Sequence, residues 1–493
     1  MNLVEPLLSY AEHQPDQIAI SYGRDHRTYL ALVERMLQVA QGLKHNGLTQ
    51  DKVAILSTNR IEFVEVFLGA VYAGCVPIPI DPQWSIHDVN SILEQAQPKM
   101  IFSESKFVKN LVFQDRDLEI LTFSDEKAGS YDSWLHTFQP KAEIDQTNET
   151  LFIGFTSGTT GTPKGYMRNH LSWINSFKAT KEAFNLDNME HIIAPGPLVH
   201  SLSLFVLMQT LLSGGTFHIV RHFNAEEVLG ICKQIPDVIL FVVPTMIESL
   251  MKHSIPHEIQ IQAIISSGGK WSDTSKQRCR EVFSGARLYE FYGSSEASYI
   301  SYLNVSDENK ESSVGRPFTG VEASIRDENF QEVPLGVVGQ LYIRSNMMFM
   351  GYFQLPEETN AVFHDGWLMS GDYMYMDEDG YLYIAGRSKN KIVSGGLNIY
   401  AEEVESVLNQ IPEIEEVMVF GVPDEYWGEQ VTALVKWNSH QTLSIVDIKQ
   451  HCRQYLASYK VPKQLITVDE FIYTSSGKLA RQAMKDYMKR VMV

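Results

Sequence analysis

The sequence predicts an α/β protein, followed by a closely spaced antiparallel segment and a compact α+β tail. Three observations carry that reading: apolar runs alternating with amphipathic ones early in the chain, a change of texture beyond Gly315, and a helix–strand–strand–helix order after Arg387. The alternation begins at Val53. There VAILST reads as a strand, Ile61 to Tyr72 as a helix, Ala73-Gly74 as a turn and VPIPI as a second strand ending at Asp81-Pro82, the order of a βαβ unit. It recurs over Ile192 to Ile219 and Val238 to Ser266, where VILFVV and AIIS are the buried strands expected of a sheet covered by helices. Leu202 to Leu212, the most apolar stretch, is far short of the roughly 20 residues that span a bilayer and reads as a buried helix. Beyond Gly315, VGQLYIR, GYLYIAGR and KIVSGGLNIY predict a smaller antiparallel unit. The tail holds the helix AEEVESVLNQ, the strands EEVMVFGV and QVTALVKW, and the helix IVDIKQHCRQYL.

At 493 residues the chain exceeds the size at which one core keeps growing, so more than one domain is expected. Its composition, 44% hydrophobic and 20% charged, is that of a globular protein. A net charge of −19 without a long basic run argues against a nucleic-acid partner, because phosphate binding draws on clustered Lys and Arg. Cys75, Cys232, Cys279 and Cys452 are too scattered for a zinc or redox motif, which fits a reduced, cytoplasmic setting. Glu5, Glu12 and Asp16 stand where a signal peptide needs a basic and then an apolar region.

The segment Thr156 to Gly165, TSGTTGTPKG, follows the strand-like LFIGF directly, and a helix is expected after it. Such a loop suits a polyphosphate. Gly158 and Gly161 let backbone N–H groups turn toward anionic oxygens, Thr156, Ser157, Thr159 and Thr160 add hydroxyls, and Lys164 supplies charge. It is not a P-loop, which needs Gly-Lys-[Ser/Thr], because Lys164 lies between Pro163 and Gly165. Further along stand Tyr292-Gly293-Ser294-Ser295-Glu296, Ser370-Gly371-Asp372, Gly386-Arg387 and Thr474-Ser475-Ser476-Gly477-Lys478. In this order and spacing the segments resemble the adenylate-forming superfamily, which includes acyl-CoA synthetases, luciferases and the adenylation domains of peptide synthetases.

The resemblance implies a large N-terminal adenylation domain, residues 1–388, built of α/β subdomains and a small β-barrel-like subdomain. It implies a small mobile α+β domain, residues 389–493, hinged at Lys389. Tyr292 is then expected to stack on adenine and Glu290 to read its amino group, with the Gly268-Gly269 loop at the junction of adenine and acyl pocket. Ser295 is expected at the adenylate phosphate, with Gly293 and Ser294 beside it among the ATP-binding residues, Glu296 at Mg²⁺, where a hard cation wants carboxylate oxygen, and Asp372 and Arg387 at the ribose. Lys478 is implied to bridge the substrate carboxylate and the α-phosphate, where one fixed ammonium offsets the repulsion between two anions. Rotation about Lys389 would then bring Ser394, Gly395 and Gly396 to the site and open a channel for the thiol of coenzyme A. ATP, Mg²⁺ and coenzyme A are the implied cofactors.

His200 closes the segment PLVH at the expected mouth of the acid pocket. No acidic residue occurs from Pro197 to Leu212, where amino-acid-activating domains place an aspartate, so an α-amino acid is not expected. Phe205, Leu207 and Met208 suit an apolar wall, or simply core, and put fatty or aromatic acids first. A dicarboxylic acid such as malonate or succinylbenzoate would want an extra cation, for which Lys270 and Arg221 are the candidates. Coenzyme A is the simpler acceptor. A stand-alone enzyme loading a carrier protein and an inactive nucleotide-binding regulator stay open, the latter opposed by Lys164, Glu296, Asp372, Arg387 and Lys478 together. The departures from the family pattern are Ile472-Tyr473 before the last motif, Ala401 after Asn-Ile-Tyr, and Lys270-Trp271 after Gly268-Gly269. Only the last lies beside the expected pocket.

Overall fold

The structure, a computed structural model, describes the chain except residues 1, 110, 112–117, 125–129, 144–146, 157–162, 187, 255–258, 270, 307–309, 388–389, 395–396, 425–426, 439–441, 475–476 and 492–493. Two compact units result. Met1–Glu311, Phe318–Val321 and Ser345–Phe363 form one; Ser312–Pro317, Glu322–Arg344 and His364–Val493 form the other. The second therefore takes in the strands Trp367–Met376 and Leu382–Arg387, which precede the sequence-predicted boundary at residue 388.

The first unit is α/β as expected. Lys52–Leu56, helix Ile61–Tyr72 and Val76–Ile80 form the predicted βαβ unit, in a parallel sheet continued by Met100–Glu104 and Glu119–Phe123. VPIPI holds two prolines in a strand, and it lies at the sheet edge, where a missing N–H breaks no ladder bond. Helix Ile61–Tyr72 is buried on every side. Even Glu65 is enclosed there, accepting from Arg27 Nε at 3.0 Å and the Tyr131 hydroxyl at 2.8 Å. A larger sheet carries, side by side, Ser298–Asn304, Arg287–Ser294, Ile261–Ser266, Val238–Val242, His191–Ile193, Thr216–His218, Ile18–Tyr22 and Asp25–Thr28. Its central strands run parallel. Helix Ser201–Leu211 is buried, as its composition predicts.

One expectation fails. The Gly-rich segment is followed by a strand, not a helix: Thr150–Thr156 pairs antiparallel with Lys164–Asn169, Thr156 opposite Lys164, and helix His170–Phe184 starts only afterwards. Alternating Gly165, Tyr166, Met167 and Arg168 had no clean period-2 apolar pattern to announce that strand. Gly351–Tyr352 adds a third strand beside it.

In the second unit Val321–Arg326, Gly339–Ser345, Trp367–Met376, Phe363–His364 and Leu382–Arg387 form an antiparallel sheet. The tail sheet runs Leu397–Tyr400, Lys391–Ser394, Gly428–Trp437, Ile414–Asp424, with Gln464–Thr467 parallel to Gly428–Trp437. Strand alternation splits its core: Val417 and Val419 pack with helix residues Val404, Leu408 and Ile448, whereas Met418 and Phe420 pack with Met484 and Met488 of helix Arg481–Val491. Ala401 opens helix Ala401–Leu408 fully buried; this first helical position is one that proline also suits, so the departure there is structurally neutral. No helix among the described residues is long and apolar enough to cross a membrane. All four cysteines are free and buried.

Candidate active site

The Gly-rich segment is the connection of a β-hairpin whose two arms present Thr156 and Lys164 opposite each other. Ser157, Gly158, Thr159, Thr160 and Gly161 lie outside the described residues. Glu290, Tyr292, Gly293 and Ser294 lie on strand Arg287–Ser294, and the pair Ser294–Ser298 closes a turn of Ser295, Glu296 and Ala297. Ser294 Oγ accepts from Ala297 N–H at 3.0 Å inside it. The turn demands glycine at 293, where a Cβ would stand 2.1 Å from the Ser298 carbonyl oxygen.

Glu296 is braced from the third strand of the hairpin sheet. The Tyr352 hydroxyl donates to its Oε1 at 3.0 Å, Phe349 N–H donates to its carbonyl at 2.7 Å, and Lys164 Nζ sits 5.8 Å from the Tyr352 ring centre. Burial, reinforced by the Glu296 charge, raises the Tyr352 phenol, which therefore keeps the proton it donates. No group of three or more His, Cys, Asp or Glu side chains among the described residues could hold a metal ion. A lone hard carboxylate at Glu296 fits Mg²⁺ all the same, because that ion is commonly held by one or two carboxylates plus nucleotide phosphates and water.

Glu290 is held by groups of the protein itself. Its buried carboxylate pairs with the buried Lys276 Nζ at 2.6 Å and accepts from Trp271 N–H at 3.3 Å. Burial raises its pKa, opposed by Lys276. Trp271 is 2% exposed, and its indole N–H donates to Ser275 Oγ at 2.9 Å, so it anchors the loop after Gly268 and Gly269 in the core. Lys270 lies outside the described residues. Tyr292 is buried.

His200 precedes helix Ser201–Leu211, and its Nε2 meets Asp81 Oδ2 at 3.0 Å; Asp81 is buried and its other oxygen accepts from Gln83 N–H at 2.8 Å. Arg221 pairs with Glu104 at 3.2 Å. Burial would raise Glu104, but hydrogen bonds from Thr58 and Lys106 outweigh it and bring the carboxyl down to about 2. Arg221 is thus turned toward a fixed protein anion.

In the second unit, Asp372 and Arg387 face each other across paired strands, with Arg387 Nε 2.8 Å from Asp372 Oδ1. The two residues expected at the ribose are therefore together. Ser394 ends a strand and is buried, whereas Gly395, Gly396 and Lys389 lie outside the described residues. Lys478 is exposed on a tight turn: Thr474 N–H donates to the Lys478 carbonyl at 2.7 Å and Lys478 N–H to Thr474 Oγ1 at 3.1 Å. The nearby Tyr473 hydroxyl donates to Glu416. Sequence reasoning missed Asp81, Lys276, Tyr352, Tyr166 and Arg168; none belongs to a glycine-rich or acidic signature.

A family model described as AMP-binding enzyme matches residues 8–353, and one for the AMP-binding enzyme C-terminal domain matches 403–478. The chain is 34% identical to an uncharacterized acyl-CoA ligase of Bacillus subtilis, YhfT, over 99% of both chains. It is 30% identical to VraA of Staphylococcus epidermidis, described as a putative long chain fatty acid-CoA ligase, over 98% of both. Among solved structures it is similar to ATP-bound MatB from Rhodopseudomonas palustris, with a TM-score of 0.90 and 26% identity over 99% of each chain. It is also similar to the o-succinylbenzoate CoA synthetase MenE from Bacillus subtilis in complex with its acyl-adenylate, with a TM-score of 0.85 and 26% identity over 98% of each.

Proposed function

Since the chain belongs to the AMP-binding enzyme family and is an AMP-forming acyl-CoA synthetase, we propose that it activates a fatty or aromatic carboxylic acid with ATP and Mg²⁺ and passes the acyl group to coenzyme A. The observation that carries the chemistry is the convergence of Lys164 and Glu296 on Tyr352, beside Ser295. A cation, a hydroxyl and an isolated carboxylate set together suit a nucleotide polyphosphate with its metal.

In the first half-reaction the acid's carboxylate oxygen bonds to the α-phosphorus of ATP while the bond to the pyrophosphate oxygen breaks. Lys164 and Ser295 are assigned to the phosphates and Lys478 to the charge gathered between the two anions. Asp372 and Arg387 are assigned to the ribose, their ion pair holding the carboxylate ready. Glu296 would hold Mg²⁺, and that ion would supply neutralisation of the charge on the pyrophosphate. In the second half-reaction the thiol sulfur bonds to the acyl carbon and AMP leaves. The division at residues 1–388 and 389–493, the hinge at Lys389 and the thiol channel at Ser394, Gly395 and Gly396 belong to this proposal.

The buried apolar helix Ser201–Leu211 and the commitment of Arg221 to Glu104 support an apolar acid, as does likeness to a relative described as a fatty acid-CoA ligase. Likeness to the o-succinylbenzoate enzyme makes an aromatic diacid the second reading. The test is pyrophosphate release across a panel of acids, with and without coenzyme A. Release for fatty or aromatic acids, with thioester and AMP formed only when coenzyme A is present, is expected. Release without thioester would move the acceptor to a carrier protein, and silence across the panel would overturn the reading.

A further inference from the structure

Strand Lys164–Asn169 does more than present its lysine. Alternate side chains of a strand share a face, and here Tyr166 and Arg168 both reach toward the Ser295–Glu296 turn while Lys164 lies by the Tyr352 ring. The Tyr166 hydroxyl shares a hydrogen bond with Ser201 Oγ at 2.5 Å, and Ser201 Oγ lies 3.4 Å from Ser295 Oγ. Arg168 Nη1 donates to the Ser295 carbonyl at 3.1 Å and Nη2 to the Met347 carbonyl at 2.7 Å.

We propose that Tyr166 and Arg168 are positioning residues for adenylate formation: Tyr166 sets the Ser295 hydroxyl through Ser201, and Arg168 fixes the peptide that carries that hydroxyl and the neighbouring Glu296. This rests on the reading that Ser295 meets the adenylate phosphate. Two features set the arrangement apart from ordinary packing. Gly154 lies opposite Tyr166 in register, and a Cβ there would come 2.3 Å from the ring, so the hairpin is cut to admit this tyrosine. Arg168 is buried among carbonyls with no ion-paired carboxylate among the described residues, an arrangement that costs stability and is hard to account for by stability alone. Burial pulls its pKa down to about 10, against the opposing pull of Tyr166 and Glu296, and it remains a cation at neutral pH. Ser201 follows His200, so the relay also links the acid-side histidine segment to the phosphate-side hydroxyl.

The experiment is a double-mutant cycle in the full-length chain. Adenylate formation is read with an acid that the panel identifies as substrate, and Mg·ATP binding is read separately by calorimetry, which needs no acid. Tyr166→Phe removes one hydroxyl and is expected to lower kcat for adenylate formation roughly 3- to 10-fold, the worth of one hydrogen bond. Ser295→Ala is expected to lower it at least as much, and the double variant to match Ser295→Ala alone. Arg168→Lys, which keeps charge but not the fork, is expected to lower kcat as well, and wild-type rates in that variant would overturn the share assigned to Arg168. Additive losses, or a silent Tyr166→Phe beside an impaired Ser295→Ala, would overturn the proposal. An unimpaired Ser295→Ala in both readouts would instead overturn the site reading beneath it. Should Tyr166→Phe fail to fold by thermal melting, Ser201→Ala interrupts the same relay with a smaller change and decides the matter on the same terms.

Discussion

Two tight turns carry the residues assigned to adenylation, and they are built in opposite ways. The Ser295–Glu296 turn of the first unit is clamped by side chains from three directions, Arg168, Tyr352 and the Tyr166–Ser201 pair, and closed over Gly293. The Thr474–Lys478 turn of the second unit carries hydrogen bonds between its own Thr474 and Lys478, and its lysine is exposed. In the proposed mechanism, rigidity is concentrated where oxygens are assigned to a phosphate throughout the reaction. The lysine is presented on an exposed hairpin turn, as would suit the group assigned to one half-reaction only.

Breaking the buried side should show first as lost stability. Lys276→Met leaves Glu290 charged and unpaired in the core, and is expected to destabilise the protein by about 3–5 kcal/mol in denaturant unfolding. Adding Glu290→Gln should recover most of it; a single variant as stable as wild type would show that the pair does not hold the loop. Breaking the exposed side should leave stability alone. Lys478→Ala is expected to lower adenylate formation by about 10²–10³-fold without shifting the melting temperature, while thioester formation from supplied acyl-adenylate survives. Equal loss of both half-reactions would remove the distinction between the turns.

The hairpin behind the clamped turn is also tied down at its far end, through a histidine, and pH sharpens the contrast there. His170 Nδ1 accepts from Leu3 N–H at 3.0 Å and Nε2 donates to the Asn148 carbonyl at 3.1 Å. Burial lowers its pKa from 6.5 to about 4, with the Asn148 bond opposing, and burial does the same to His218. Because the folded pKa lies below the unfolded one, this contribution is present above pH 6.5 and is lost as pH falls toward 4. His170 alone should cost about 2 kcal/mol of stability between pH 7 and pH 5. His170→Gln should flatten that share of the slope in urea titrations, and an unchanged slope would place the loss elsewhere.

The parallel strands and their crossover helices were legible because VAILST, VPIPI and VILFVV are apolar runs bounded by turn residues. Strand Lys164–Asn169 was not, because its residues answer to the neighbouring turn rather than to a uniform core, and local pattern yields to such tertiary demands. Helix Arg481–Val491 escaped notice for a related reason: Met484 and Met488 are the buried apolar residues that mark its face. At the site, the signature residues announced themselves through glycine, hydroxyl and carboxylate spacing. Their supports did not. Tyr166 and Arg168 share one strand, whereas Asp81, Lys276 and Tyr352 come from other parts of the chain, and only the fold brings each beside the group it holds.

The order of strands in the larger sheet bears on how the chain is made. Ile18–Tyr22 pairs in parallel with Thr216–His218, Ile20 opposite Phe217. At about 5–20 residues per second, an emerging chain waits roughly 10–40 s between those two strands. During that interval an apolar strand and its hairpin partner Asp25–Thr28 have no sheet to join. Closing so long a loop is also slow in refolding. A strand synthesised long before its parallel partner is thus among the last to find its place, and it is where a holding chaperone would matter most.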